Sequence, residues 1–317
     1  MKDTYGREIR YLRLSVTDRC NLRCRYCMPA EGICKKRHED MMTEDEMVTA
    51  VRAAASLGVD KIRVTGGEPL VKKNIVSLCR RVAGVDGIRE VCLTTNGLLL
   101  PELAGELKAA GVRRLNISLD TLDAAKYAYI TRTGTLEQAL RGIEAALAAG
   151  FERVKLNAVL IGGFNDDEIP ALADLSCRWP VDVRFIELMP MTAVETFGQR
   201  AYLPCQAVEE ALPQLAEIPS QGGVARLYRL PEGQGNIGLI SAVSNHFCGC
   251  CDRLRLTADG KVKPCLHSGQ ELPLKGLDED GMRRVMAAAI QAKPPCHPPL
   301  SSAARSGAGR SMNEIGG

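Results

Sequence analysis

The chain has 317 residues, 45% of them hydrophobic and 25% charged, and its Lys and Arg outnumber its Asp and Glu by a formal charge of +3. That balance excludes disorder, collagen and coiled coil as descriptions of the whole, and it gives no global field for nucleic acid, so any basic site must be local. The length suits one large α/β domain with an appendage, or two domains.

The opening MKDTYGREIR scatters charge where a secretory signal needs an apolar core. No stretch approaches the ~20 apolar residues of a membrane span, so a cytoplasmic protein with no membrane or nucleic-acid partner is expected. From about residue 10 to residue 190 one unit repeats: a short β-branched run, a loop with Gly, Asn or Asp, then an amphipathic helix. The runs are Tyr11–Val16, Lys61–Thr65, Glu90–Thr94, Arg114–Leu119, Val154–Ile161 and Val181–Leu188. Thr43 and Glu46 have capping-box spacing at the head of one helix, and Leu136, Ala139, Leu140, Ile143, Ala146 and Leu147 form the apolar stripe of another. Gly58, Gly84, Gly111 and Gly150 fall where helices should end. Alternating strands and helices predict a parallel sheet, either a doubly wound open sheet or a partial barrel, with chemistry at the carboxyl ends of the strands.

The polar residues after those runs fit that rule: Thr17 to Cys20, then Gly66-Gly67-Glu68-Pro69, Thr95-Asn96-Gly97, Ser118 with Asp120, and Glu187 with Met189-Pro190. Beyond residue 200 the unit stops. YLPCQAVEEALPQLAEI reads as one more helix and LYRLPEGQGNIGLISAVS as a hairpin-like pair. The last 25 residues lack periodicity and read as a mobile tail.

Thirteen cysteines, an odd number in a chain too long to need staples, point to metal or redox chemistry. Cys34, Cys79, Cys92, Cys177, Cys205 and Cys296 are dispersed and read as small buried hydrophobes, Cys79 on a helix face. Cys20, Cys24 and Cys27 instead place three thiolates within eight residues directly after the first strand. Three thiolates suit a 4Fe–4S cluster with one iron left open, whereas structural zinc wants four ligands. With Tyr26 before the last cysteine and Gly66-Gly67-Glu68-Pro69 after the second strand, this segment resembles the radical S-adenosylmethionine (SAM) superfamily. There the open iron chelates SAM, whose reductive cleavage yields a 5′-deoxyadenosyl radical. Alone, the double glycine would be read as a plain strand-to-helix turn; beside the cysteines it reads as room for close backbone approach to SAM.

A second group, Cys248, Cys251 and Cys265, offers three more thiolates, and with His246 and His267 nearby a zinc site competes on the motif alone. Cys250 sits within this group, and pairing of Cys248 with Cys250 stays open. Arg253 and Arg255 alternate on the adjoining RLRLT segment and so share one strand face, which suits an anionic, ring-bearing substrate; the bland reading is a solvated strand face.

Together YLRLSVTDRCNLRCRYCMP, DKIRVTGGEPL, LTTNGLLL, LNISLDTLD, VKLNAVLIGGFND, VRFIELMP, FCGCCDRLRLTADGKVKPCL and the terminal IGG resemble, almost end to end, the GTP 3′,8-cyclase family of molybdenum-cofactor biosynthesis. The resemblance implies an α/β fold, a partial (β/α)6 TIM-like barrel over residues 1–200, closed by an α+β extension over 201–317 that carries a second cluster and a flexible Gly-Gly tail. It implies two 4Fe–4S clusters held by Cys20, Cys24 and Cys27 and by Cys248, Cys251 and Cys265, with SAM contacted near Tyr26, Gly67, Ser118 and Met189. It also implies GTP bound by Arg13, Lys61, Arg63, Thr94, Lys155, Arg184, Arg253 and Arg255, the last two catalytic together with Gly316 and Gly317. On this reading the radical abstracts the C3′ hydrogen of GTP, C3′ attacks C8, and an electron and a proton complete the cyclised dihydroguanosine triphosphate.

Arg63, Lys155 and Arg184 fall inside predicted strands, where a buried charge needs a partner such as a triphosphate or a carboxylate like Glu187. The expected partners are GTP, SAM, a reductant such as flavodoxin or ferredoxin, the next pathway enzyme, cyclic pyranopterin monophosphate synthase, and a second copy of the chain. The rival readings are another radical SAM enzyme with an auxiliary cluster, which lacks a reason for the arginine pair and the IGG end, and a non-catalytic cluster- or zinc-binding regulatory module.

Overall fold

The computed structural model describes residues 1–33, 36–191, 201–219, 223–301 and 304–316. Cys34 and Gly317 lie outside them. Six parallel strands form in sequence: β1 (Tyr11–Ser15), β2 (Lys61–Thr65), β3 (Glu90–Thr95), β4 (Val112–Ser118), β5 (Arg153–Leu160) and β6 (Val181–Glu187), each paired with the next. Helices α1 (Glu44–Ser56), α2 (Ile75–Ala83), α3 (Leu100–Ala109), α4 (Ala124–Thr131), α5 (Leu136–Ala148) and α6 (Ile169–Arg178) make the crossovers. Thr43 and Glu46 close the expected capping box on α1, and Thr135 and Gln138 close another on α5. Gly58, Gly111 and Gly150 take left-handed φ of 92°, 92° and 70° just past α1, α3 and α5, whereas Gly84 caps α2 with φ −83°.

Strand alternation sorts the side chains. Leu12, Leu14, Ile62, Val64, Leu93, Leu115, Ile117, Leu156 and Phe185 point outward under the helices and are buried in one apolar core, where Cys79 of α2 joins them. The opposite parity carries polar residues inward. Arg184 of β6 lies close enough to Arg63, Tyr11 and Arg253 for their charges to interact, so the sheet curves until its two sides face each other across a polar interior.

The chain after residue 200 extends both edges of this sheet. β9 (Ile237–Ile240) adds parallel to β6 and carries β8 (Arg226–Arg229) and β7 (Ala216–Ile218) as an antiparallel meander. β10 (Arg253–Leu256) adds parallel to β1 and carries β11 (Lys261–Lys263) and β12 (Leu272–Pro273). α8 (Glu279–Gln291) packs on α1, and Leu254, Val262, Met282 and Met286 belong to the same core as the barrel. The single long helix expected over residues 202–218 is only α7 (Gln206–Ala211): Pro213 stops it, and the residues beyond pair with β8 as β7.

The tail is the other departure. Ser311 caps a 3-10 turn at Met312–Glu314, Ile315 is fully buried against Met191 and Ala308, and the Gly316 carbonyl accepts hydrogen bonds from Arg13 and Arg255. These long-range contacts order a segment without periodicity, so the described residues 304–316 are a strap and not a mobile end. Among the described residues no helix is long and apolar enough to cross a membrane.

Candidate active site

The first cysteine loop leaves β1 and wraps the carboxyl end of the barrel. Its main chain is held from several sides: Arg23 donates to the carbonyls of Cys20 and Leu22, and Arg132 donates to those of Arg23 and Met28. The Arg23 and Arg25 amides donate to Thr131 and Ile130 at the end of α4. Arg132 adopts a left-handed φ of 63°, unusual for a side chain with a Cβ, at the point where its guanidinium reaches the loop.

The double glycine completes the cradle. A Cβ on Gly66 would stand 2.4 Å from the Thr17 carbonyl and one on Gly67 2.4 Å from that of Arg19. The Gly67 and Glu68 amides donate to those same two carbonyls at 2.8 Å. The missing side chains are thus required first by the cysteine loop's own backbone. Glu68 is buried, and that burial pushes its carboxyl up to about 7 against hydrogen bonds from the Asn96 and Leu70 amides and the Thr95 hydroxyl. It ties the loops after β2 and β3 together.

Cys20, Cys24 and Cys27 are free. Burial pushes Cys20 up to about 11, Cys27 up to about 12 and Cys24 well above its ordinary value, with neighbouring thiols and Asp120 adding to the effect at Cys24 and Cys27, and Glu68 at Cys20. Thiols buried this deeply, with Arg23 favouring the charged form only at Cys20, become thiolates when a metal takes the proton's place, so this donor set fits an iron–sulfur cluster. Tyr26 donates to Asp120 at 2.7 Å, and burial holds the Asp120 carboxyl up to about 6. Gly67 and Ser118 end β2 and β4 on the same side, and Met189 follows β6 against the strap residue Ile315. Tyr26 thus lies within the first triad's loop and Gly67 packs on its backbone, while Ser118 and Met189 sit at the carboxyl ends of β4 and β6.

The second triad lies by the 3-10 turn Cys248–Cys250, at the entry to β10. Its thiols are free. Burial pushes Cys248 up; at Cys251 burial is outweighed by Lys293 and Arg253, which bring the thiol below its ordinary value. Cys250 is exposed, and its thiol donates to the Phe247 carbonyl. Among the described residues no three His, Cys, Asp or Glu side chains converge tightly enough for a single metal ion.

Between the triads the strand registers stack cations. Arg13 stands beside Arg63 and Arg255, Tyr11 beside Arg253 and Lys61, and Lys155 beside Asn116 and Asp182. Burial first, then a neighbouring guanidinium in each case, pushes Arg13 down to about 9, Arg184 and Arg255 to about 10 and Lys155 to about 8. Arg184 Nε, Arg253 Nε and the side-chain oxygens of Asn116 and Asn157 are buried without a partner among the described residues. A polyanion with hydrogen-bonding edges would satisfy both the charge and the orphaned atoms.

One expectation changes at this point. Glu187 does not face the cations. It shares the outward parity of Val183 and Phe185, and accepts from the Cys205, Val243 and Ser244 amides, so the inner carboxylate is Asp182, 3.2 Å from Lys155. Lys61 begins β2, one layer below Arg63, where Glu90 engages it at 2.8 Å and its ammonium lies over the Tyr11 ring that Arg63 and Arg253 also flank. Arg63 meets the Tyr11 hydroxyl and, at 3.3 Å, Thr94. Sequence reasoning missed Tyr11, Asn116, Asn157 and Asp182, for all of which the alternation of β1, β4, β5 and β6 carried the signal.

Comparison with known proteins agrees with this geometry. Residues 14–176 match the family model of the radical SAM superfamily, and residues 181–299 match that named Molybdenum Cofactor Synthesis C. The chain is 50% identical to a GTP 3′,8-cyclase of Pelotomaculum thermopropionicum and 46% identical to one of Alkaliphilus oremlandii, all of each chain being covered in both cases. The fold is similar to the crystal structure of Streptococcus suis SuiB, with TM-score 0.64 and 14% identity over 87% of this chain and 66% of that one. The chain belongs to the radical SAM superfamily and, within it, to the family of the GTP 3′,8-cyclases.

Proposed function

We infer that the chain is a GTP 3′,8-cyclase, converting GTP to 3′,8-cyclo-7,8-dihydroguanosine triphosphate at the start of molybdenum-cofactor synthesis. The observation that carries the reading is the crowd of buried, mutually repelling guanidiniums between two cysteine triads, since a triphosphate is the ligand chemistry that relieves it. Cys20, Cys24 and Cys27 would hold one 4Fe–4S cluster and Cys248, Cys251 and Cys265 the other. The first cluster with SAM supplies, when bound, the radical that removes the C3′ hydrogen.

The chain's own residues supply position. Arg13, Arg63, Lys155 and Arg184 take the phosphates, with Thr94 beside Arg63, while Arg253 and Arg255 fix the purine side next to the second triad. Holding both ends places C3′ against C8 and converts a bimolecular encounter into a unimolecular one. Tyr26, Gly67, Ser118 and Met189 line the SAM side. The strap ending in Gly316 closes the mouth and keeps water from the radical. The reductant is a low-potential flavodoxin or ferredoxin, the product passes to cyclic pyranopterin monophosphate synthase, and the chain works in the cytoplasm as a homodimer.

The test is anaerobic: the reconstituted protein is given SAM, a strong reductant and GTP, and 5′-deoxyadenosine and nucleotide products are quantified. Deoxyadenosine that rises with GTP, together with a cyclised nucleotide, is the expected result. Deoxyadenosine formed at one rate with and without GTP would remove the substrate from this reading.

A further inference from the structure

Asp18 and Asn313, from opposite ends of the chain, meet where the strap crosses the carboxyl ends of β1 and β2, and the chemistry described above uses neither. Asp18 is 8% exposed and Asn313 2% exposed. Asn313 donates through Nδ2 to the Asp18 carbonyl at 3.1 Å, which leaves Asn313 Oδ1 and Asp18 Oδ2 buried with no hydrogen-bond partner among the described residues. Both backbones are held. Around Asp18 the Gly67 amide donates to the Thr17 carbonyl and the Glu68 amide to that of Arg19, while the Arg19 amide donates to the Thr17 hydroxyl at 3.1 Å. Asn313 lies in the 3-10 turn Met312–Glu314, between the forked contacts of Arg310 to Glu271 and Asp259 and the buried Ile315. Three residues after Asn313, a Cβ on Gly316 would stand 2.6 Å from the Thr65 side chain and 3.4 Å from that of Ser15, and the Gly316 carbonyl meets Arg13 and Arg255. The two orphaned oxygens therefore sit at the junction of the first cysteine loop and the cationic layer.

We propose that Asp18 Oδ2 and Asn313 Oδ1 form an acceptor pair for ribose hydroxyls, those of the nucleoside that lies against the strap. A buried acceptor without a partner costs free energy until a donor reaches it, and two in one place call for a ligand that brings two donors. Phosphate brings none, so the pair does not belong to the triphosphate seat. A ribose carries two adjacent hydroxyls, each able to donate, and a side-chain carboxyl near the carboxyl ends of parallel strands is a recurrent partner of such a hydroxyl in nucleotide-binding sheets. With the guanine of GTP at the second triad and its phosphates on the guanidiniums, the sugar is the part left for the strap to meet; the sugar of SAM is the other ribose in reach. The pair thereby sets the preference for a ribonucleoside over its deoxy form. The inference rests on the reading of GTP and SAM as ligands and extends it to how the sugar is recognised.

Equilibrium dialysis of the reconstituted, unreduced protein tests it, with no turnover in the measurement. GTP, 2′-deoxy-GTP and 3′-deoxy-GTP form one arm, and S-adenosylhomocysteine with its 2′-deoxy and 3′-deoxy analogues forms the other. Each ligand is bound by wild type, Asp18→Ala and Asn313→Ala. In wild type, removal of a hydroxyl should weaken binding about tenfold in one arm, the worth of leaving one buried acceptor unmet, and that arm names the sugar. In each variant the ligand lacking the hydroxyl whose acceptor is gone should bind nearly as well as its ribose parent. A merely structural role for the two residues would lower ribose and deoxy affinities by one factor and leave their ratio unchanged. Deoxy ligands that match their parents in wild type in both arms would overturn the proposal, as would a discrimination that survives in both variants; should one variant not fold, the wild-type ratios and the other variant still decide. Wild-type protein that binds neither GTP nor S-adenosylhomocysteine would overturn the ligand reading and the proposal with it, a result distinct from equal binding of ribose and deoxy forms.

Discussion

The two cysteine triads are alike in number and opposite in surroundings. The first lies among other thiols, Asp120 and Glu68, all of which oppose a thiolate, and is held by backbone contacts from α4 and the loop after β2. The second lies beside Lys293, Arg253 and Arg255, which favour one. A site rich in negative potential suits a cluster that must give an electron away, and a site rich in positive potential suits one that faces an anionic substrate. The barrel interior joins the two, so a single ligand can be held between a donor end and an anchoring end.

Replacing a cysteine of each triad separates the roles most sharply. Cys24→Ala should abolish deoxyadenosine formation and remove about half of the iron, whereas Cys251→Ala should keep SAM cleavage and lose cyclised product; iron content and product analysis decide, and loss of both activities in Cys251→Ala would break the comparison. Next comes Gly67→Ala, which forces a Cβ against the Arg19 carbonyl. It should cost about 2–3 kcal/mol in denaturant unfolding and empty the first site while leaving the second filled.

Arg255→Ala should lower cyclisation about 10²-fold with SAM cleavage persisting uncoupled, and Arg255→Lys, which keeps the charge but not the fork, should fall between. Stopped-time product ratios measure this, and equal loss of both products would place Arg255 with the first triad instead. A smaller effect concerns pH. Burial, then Arg184, lowers Lys155 to about 8, so in the free protein it is charged below that pH and neutral above it. KM for GTP should be flat below about 8 and rise as pH climbs through it, and Lys155→Arg should flatten the profile. The smallest is Tyr26→Phe, which removes one hydrogen bond to Asp120 and should weaken SAM binding by about 0.5–1.5 kcal/mol in equilibrium titration.

Much of this was legible in the sequence where the information is local. The six strands fall within a residue or two of their expected bounds because β-branched alternation and the glycine-marked loops act over short range. The first triad was legible because its cysteines share one loop. Glu187 misled because acidity was weighed without parity: counting from Val183 places it outside and Asp182 inside. Residues 202–218 misled because helical spacing was followed through Pro213. The strap was illegible for a deeper reason, since Arg310 finds Asp259 and Glu271, and Ile315 finds Met191, through the fold alone. No period in the tail records partners so distant.

The pairing of the last third of the chain with both edges of the sheet has a consequence for how the protein is made. Tyr11 of β1 waits for Arg253 of β10, and Val183 of β6 for Ile237 of β9, so the emerging polypeptide carries the β1 edge unsatisfied through most of its synthesis and the β6 edge until β9 arrives. Such edges invite pairing between chains and slow, long-range closure, which makes nascent aggregation the characteristic failure of this fold. The pocket walls are finished only after the final strands have arrived, so a truncated chain keeps the first cysteine loop but lacks the enclosure around it.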